Sequence, residues 1–393
     1  MTERPQGSSR ISQLDGLRGL AILSVLGVHF LNDPAHGAYG SLLYRFGCAF
    51  RLGWAGVDLF FVLSGFLIGG ILLDARGARN YFRVFYIRRL HRIVPIFYLW
   101  ITVFVLIVIL AGDSVSHLIP SASAGFQYVP FYYLFLQNYI QLPFASFIWF
   151  WLAVAWSLGV EEQFYVLAPP LIRFLSSKSL KLALVSVIFA APLLRVFVYF
   201  FVPSGPTAMY VWMPCRADTL AFGVLAAVVW RDGSIRRWYG SHPLLFQTSL
   251  AILALAIPIF IKWMFIPYAL PMGAFGYSWL AMFFTGLLLL CLLEPDGLWS
   301  SFLRLGFLRE MGKLSYCIYL IHLAILHFTH RIILHAPPRI SDVKGATVSL
   351  LAFALTYGTA KFSWSVFEHP LIRRGHTFKY QHDVPPSFAR GEI

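Results

Sequence analysis

Residues 53–70 read GWAGVDLFFVLSGFLIGG. Eighteen positions hold one charge, Asp58, and no lysine or arginine. As a helix, a run of that length and composition crosses most of the roughly 30 Å hydrocarbon core of a bilayer. Working outward from it, the pattern recurs. Ten apolar stretches are long enough to span, at 14–31, 54–74, 93–111, 151–173, 181–202, 215–231, 245–264, 274–293, 314–335 and 345–367. The aromatic stretch 126–141 is shorter and reads as interfacial or re-entrant. The expected fold class is all-α, a polytopic integral membrane protein with about ten transmembrane helices.

Composition agrees. Of 393 residues, 59% are hydrophobic and 12% charged, against about 25% charged in an average soluble domain. Mean hydropathy is +0.70. A soluble fold of this size needs far more polar surface. The net charge of +14 does not point to nucleic acid, because no basic helix or aromatic platform lies in a soluble segment. Basic residues of membrane proteins collect in cytoplasmic loops instead. With the N-terminus inside, 21 lysines and arginines fall on inner segments and five on outer ones. That asymmetry places both termini in the cytoplasm of a cell (inner) membrane protein. The expected organisation is a cytoplasmic tail at 1–13, a membrane domain at 14–370 and a cytoplasmic tail at 371–393, too short to fold alone. The outer loop at 112–150 has no Lys or Arg and is rich in aromatic residues that favour the membrane interface. Residues 14–31 follow a basic start but contain Asp15, Arg18 and His29, so they read as a permanent first span rather than a signal peptide. Cys48, Cys215, Cys291 and Cys317 form no CxxC pair and read as apolar fillers.

Ionisable groups inside spans are costly and mark candidate sites. His29 lies beyond the midplane of the first span, eleven residues after Arg18. It is either a general base or a buried imidazole bonded to a backbone carbonyl. Glu161 and Glu162, in WSLGVEEQFY, lie near mid-depth and point about 100° apart, so they cannot face one cavity equally. Either one orients a base or binds a hydroxyl, or both neutralise buried arginines such as Arg195 and Arg216. Arg88, Arg89 and Arg92, in FYIRRLHRIVP, suit lipid phosphates or the phosphates of a nucleotide-containing donor. Ser64, in LSGF, lacks a nucleophile elbow around it, and the neighbouring glycines suit close helix approach. His322, in LSYCIYLIH, ranks second to His29. Arg216 and Asp218, in CRAD, read as a mutual pair. His327, His330 and His335 read as surface residues near one helix end. No metal constellation, Walker loop or dinucleotide fingerprint is present.

In order, the stretches LDGLRGLAILSVLGVHF, GWAGVDLFFVLSGFLI, FYIRRLHRIVP, WSLGVEEQFY, CRADTLAFG and LSYCIYLIH resemble the acyltransferase 3 family of membrane acyltransferases. They cover residues 14 to about 322. The resemblance implies transfer of an acyl group, usually acetyl, from acyl-coenzyme A to a hydroxyl of a glycan or similar acceptor, with no metal. It implies that His29 is the catalytic histidine, with Arg18 the arginine that precedes it, and that Arg89 and Arg92 handle the donor, joined by Arg88. Glu161 or Glu162 would orient His29 or place the acceptor, and Asp58, Ser64, Trp156 and His322 are the acceptor-binding candidates. Direct transfer and an acyl-histidine intermediate both remain open. Many members carry an extra soluble domain after the bundle, and the tail at 371–393 is expected to be too short to form one. The competing expectation is a transporter of a small anion or amphiphile, since buried charges also mark substrate paths. No internal repeat supports it. A glycan polymerase would call for an arginine-rich outer loop, and 112–150 has none.

Overall fold

The computed structural model describes residues 11–35, 40, 42–111, 127–140, 150–263 and 266–382. Most of the 112–150 loop and the end of the C-terminal tail lie outside them. The described chain is helical, with no strand among the described residues. The principal helices are α1 (Ser12–Gly27), α2 (Gly56–Asp74), α3 (Tyr81–Ala111), α4 (Trp156–Phe174), α5 (Ser177–Phe201) and α6 (Met213–Arg231). They continue with α7 (Pro243–Leu255), α8 (Tyr277–Leu293), α9 (Gly306–Leu334), α10 (Val343–Ser363) and α11 (His369–His376).

Among the described residues, seven helical spans are long and apolar enough to cross a membrane, or eight if one bent pair counts as a span. The count is slightly below the expected figure of about ten. The bent pair is Ser234–Ser241 with Pro243–Ile259, turned through 97°. The expected spans at 151–173 and 345–367 exist as α4 and α10, of 19 and 21 residues, but are less apolar. Glu161, Glu162 and Arg173 dilute the first, and Lys344, Lys361 and several Ser, Thr and Gly residues the second. The protein is a multi-pass membrane protein. Its outer helices turn apolar side chains outward, as Leu106, Ile109 and Leu110 on α3 and Phe189, Leu193, Phe197 and Phe201 on α5. That pattern suits a lipid solvent.

The centre of the bundle is α1, α2, α6 and α9. Helix α1 packs on α9 and on α2, and α2 packs on α6. Small residues permit these approaches. A Cβ on Gly19 would collide with the carbonyl oxygen of Leu308, and one on Gly312 with that of Asp15. Gly65 and Gly223 bring α2 and α6 together in the same way. In the absence of a hydrophobic force between helices in lipid, such backbone proximity supplies the packing. Helix α4 contains Pro169 and Pro170. Pro170 has no N–H for the carbonyl of Val166, and the Tyr86 hydroxyl from α3 donates to that oxygen at 3.4 Å. The α3–α4 contact therefore repairs the helix and fixes the wall that carries Arg89 and Glu161.

Candidate active site

A cavity of about 260 Å³ lies between α1, α2, α3, α4 and α9. Its lining follows α2 from Ile71 to Val57, fourteen residues or roughly 21 Å of helix. Arg18 of α1 and Arg89 and Arg92 of α3 line it. Ser64, Ser157, Glu161, Tyr165, Ser315, Tyr316 and Tyr319 supply the other polar groups. Helix α2 runs antiparallel to α1, because Gly53 and Gly56 lie against Ser24 and Ala21. The arginines therefore sit toward the side where α1 begins, and Ser157 and Tyr319 toward the opposite one.

The Tyr165 hydroxyl donates to Glu161 Oε2 at 2.9 Å, so Ser64 Oγ, 2.9 Å away, donates to Tyr165. Ser64 thus points its hydrogen at a phenol. No base takes it, and a nucleophilic role has no support in this geometry. Arg89 lies over the rings of Phe85 and Tyr165 at 6.0 and 5.9 Å, and its Nε has no hydrogen-bond partner. At the far end the Tyr319 hydroxyl lies 2.8 Å from Ser157 Oγ and 2.9 Å from the carbonyl of Val154.

Beyond Tyr319 stand two histidines. The Tyr319 and His322 rings are 5.9 Å apart, and the His322 and His29 rings 5.2 Å. His29 occupies a π-helical turn, Val28–Asn32, that continues α1. Such single turns recur at functional sites because they rotate one side chain out of the regular register. His29 Nδ1 lies 3.1 Å from Asp33 Oδ2. The histidine side chain is 23% exposed and the aspartate 48%.

The other sequence candidates are elsewhere. Arg88 sits about 100° around α3 from Arg89 and donates to the carbonyl of Phe378 at 3.0 and 2.6 Å, with the Tyr380 ring 5.0 Å away. It holds the segment after α11 and does not line the cavity. Glu162 does not line it either. Its Oε1 is buried without a hydrogen-bond partner, so the adjacent glutamates do divide, with Glu161 the one at the cavity. Trp156 packs between Phe61 (5.9 Å) and Tyr210 (4.6 Å). Asp58 is wholly buried in an ion pair with Arg216.

That pair corrects two expectations. Arg216 and Asp218 do not bond each other, because residues two apart face opposite sides of a helix. Asp218 pairs with Arg195 at 2.9 Å. The buried arginines are therefore neutralised by aspartates and not by Glu161 and Glu162. His330 is also not a surface residue. It is fully buried, 2.9 Å from Ser349 Oγ, because α10 covers that face of α9.

Sequence reasoning missed Asp33, Tyr165, Ser157 and Tyr319. Two of them carried a signal: Asp33 follows His29 by four residues, and Tyr165 follows Glu161 by four, the spacing of neighbours on a helix face. Outside the spans, His376 on α11 is held below the ordinary histidine range, first by burial and then by the positive field of Arg88, Arg89 and Arg92. Among the described residues no group of His, Cys, Asp and Glu could hold a metal ion.

Residues 11–361 match a family model described as an acyltransferase domain (acyltransferase 3). The chain is 30% identical to peptidoglycan O-acetyltransferase OatA of Listeria monocytogenes, over 93% of this chain and 56% of that protein. It is 29% identical to the putative peptidoglycan O-acetyltransferase YrhL of Bacillus subtilis, over 83% and 50%. It is 25% identical to O-acetyltransferase OatA of Staphylococcus aureus, over 96% and 60%. The chain thus spans between half and three-fifths of the length of these relatives. No solved structure matches it.

Proposed function

This chain belongs to the acyltransferase family matched over residues 11–361, and from that premise we propose that it transfers an acyl group, acetyl foremost, from acyl-coenzyme A to a hydroxyl of a glycan. The acceptor class follows the names of the relatives, which are O-acetyltransferases and in two cases peptidoglycan O-acetyltransferases. The donor is argued from the site. The carrying observation is one cavity that has Arg18, Arg89 and Arg92 toward one end and Tyr319 at the other, with the His322 ring and then the His29 ring next beyond Tyr319, outside the lining.

In this reading both termini are cytoplasmic, and the arginines meet the phosphates of the donor at the inner face. The pantetheine arm follows α2, whose lining from Ile71 to Val57 is mostly apolar. Ser64, Tyr165 and Glu161 form a polar band halfway along and orient the arm's amides. The thioester arrives near Tyr319, and the acceptor hydroxyl comes from the opposite side to His29. Asp33 accepts from His29 Nδ1, which leaves Nε2 as the basic nitrogen. His29 removes the hydroxyl proton as the oxygen attacks the thioester carbonyl. The C–S bond breaks, and the proton passes from His29 to the departing thiolate. Direct transfer needs no protein nucleophile, in keeping with the hydrogen bond that Ser64 donates.

The test is transfer of label from radiolabelled acetyl-coenzyme A in membranes. Wild type is expected to label a glycan or lipid fraction. His29→Ala at matched expression is expected to lose about 10²–10⁴-fold of that rate, the contribution of a positioned base. Equal labelling by both removes His29 from the mechanism. No labelling by wild type removes the donor assignment.

A further inference from the structure

We propose that the short helix Ser234–Ser241 is a binding site for the headgroup phosphates of anionic phospholipids, held by Arg236 and Arg237. The residues concerned do not line the cavity, and the inference stands apart from acyl transfer. It begins where α6 ends. Arg231, the last residue of α6, donates from Nε and Nη2 to the two oxygens of Asp74 at the end of α2, 2.6 Å each. Two residues on, Gly233 turns the chain at φ +73°, a conformation that residues with a Cβ rarely adopt. The short helix that follows meets the next one at 97°. That next helix, α7, turns Leu244, Leu245, Ile252 and Leu255 outward, as a span in lipid does. A helix perpendicular to a span lies along the membrane surface.

The residues of the short helix suit that place. None of the eight is fully buried. Ile235 packs against the bundle and the Tyr239 hydroxyl donates to Glu294, so these two, four apart, form the inner face. Arg236, Arg237 and Trp238 are exposed. The Trp238 ring is stacked on His242 at 5.5 Å, and such rings settle at the headgroup level of a bilayer. The nearby carboxylates are already taken. Asp232 accepts from Lys181 and from the Ser234 N–H, Glu294 from Tyr239 and Gln247, and Asp74 from Arg231. Among the described residues neither Arg236 nor Arg237 is in an ion pair. Arg236 lies over the Trp230 ring at 5.1 Å, and Arg237 Nη1 donates to the carbonyl of Asp232 at 3.2 Å. Each of these contacts steadies a guanidinium and leaves in-plane N–H groups for a ligand, in the fork geometry that fits phosphate oxygens. Two uncompensated arginines call for an anion. The exposed Trp238, Leu244 and Leu245 beside them call for acyl chains. A phospholipid supplies both, and free phosphate only the first.

The experiment titrates phosphatidylglycerol, and separately phosphatidylcholine, into the purified full chain in neutral detergent and counts bound lipid by native mass spectrometry. Wild type is expected to prefer phosphatidylglycerol, and the preference is expected to shrink as ionic strength rises. Arg236→Gln and Arg237→Gln are each expected to weaken phosphatidylglycerol binding about fivefold, the worth of one arginine at an anionic membrane surface, and the double variant more than either. Their melting temperatures in phosphatidylcholine nanodiscs are expected to match wild type, because both side chains are exposed. Arg304→Gln is the control. Its arginine is exposed too but is already held by the Pro295 carbonyl and Ser301, and its loss is expected to leave the binding unchanged. Phosphatidylglycerol binding by the double variant at the wild-type level overturns the inference. An equal loss in Arg304→Gln overturns it as well, since positive charge anywhere on the surface would then suffice. Displacement of phosphatidylglycerol by inorganic phosphate at equal concentration overturns the lipid assignment and makes the ligand a free anion.

Discussion

Arg195 and Arg89 pose the same question in the sequence, since each is a guanidinium on a helix of a membrane bundle. Their surroundings answer it differently. Arg195 commits all five of its N–H groups. Nε donates to Gly273, Nη1 to Cys215 and Asp218, and Nη2 to Asp218 and Ser278. Ser278 in turn donates to Asp218 at 2.6 Å. The network is closed around a fully buried Arg195 and Asp218, and no donor of Arg195 is left for a ligand. Arg89 lines a cavity, lies over two aromatic rings and keeps an unmatched Nε. An intramembrane charge marks function only where its hydrogen bonds are incomplete and there is space beside it. Where they are complete, the charge is part of the scaffold.

Asp218→Ala tests the closed side most severely. It leaves Arg195 charged and uncompensated, and is expected to cost about 3–5 kcal/mol of stability, read as a large fall in the melting temperature of the solubilised protein. Replacing both partners by apolar residues of similar volume is expected to restore much of it.

On the open side, Arg89→Ala or Arg92→Ala is expected to raise KM for acetyl-coenzyme A about 10–100-fold, the worth of a charge-assisted hydrogen bond or two. Arg88→Ala is expected to leave that KM near wild type and to loosen the segment after α11, seen as faster proteolysis around Phe378. If Arg88→Ala raises KM as much as Arg89→Ala, the division of the cluster is wrong.

A smaller contrast lies within α4. Glu161→Gln weakens the acceptor of Tyr165 and is expected to cost about tenfold in kcat/KM, a single charge-assisted bond, while Glu162→Gln costs less. The reverse order would move the functional carboxylate off the cavity wall.

The smallest expected effect is at the membrane surface. Burial of the Asp232 carboxyl acts to raise its pKa, but hydrogen bonds from Lys181 and Ser234 outweigh it and hold the group below its ordinary 3.8. The bond to Lys181 is 2.6 Å long and largely exposed. A depressed carboxylate adds stability above its unfolded pKa and loses it as pH falls through the folded one. The Lys181 contribution is therefore present at neutral pH and fades below about pH 4. Asp232→Asn is expected to change stability by less than about 1 kcal/mol, and only above that pH.

Much of this was legible in the chain. The spans followed from long apolar runs, because lipid admits only backbones that satisfy their own hydrogen bonds. Arg18, Arg89, Arg92, Ser64 and Glu161 all lie on the cavity, and His29 and His322 lie together. Asp58, Trp156, Arg88 and Glu162 sit in the same signature stretches but were carried elsewhere. Neighbours in sequence diverge by about 100° on a helix, so a motif names more residues than one face can use. CRAD shows this most clearly. Its arginine and aspartate look like a pair and instead each reach a residue on another helix, Asp58 on α2 and Arg195 on α5.

By itself the sequence determined that this is an all-helical membrane protein and which charges lie inside it, since both follow from local composition against the thickness of a bilayer. Only the tertiary structure decided which of those charges are closed and which are open. Hydrogen-bond satisfaction is a property of groups brought together from distant helices, as Glu161 is with Ser64 through Tyr165, and Arg195 with Asp218. No window along the chain contains both halves of such a contact.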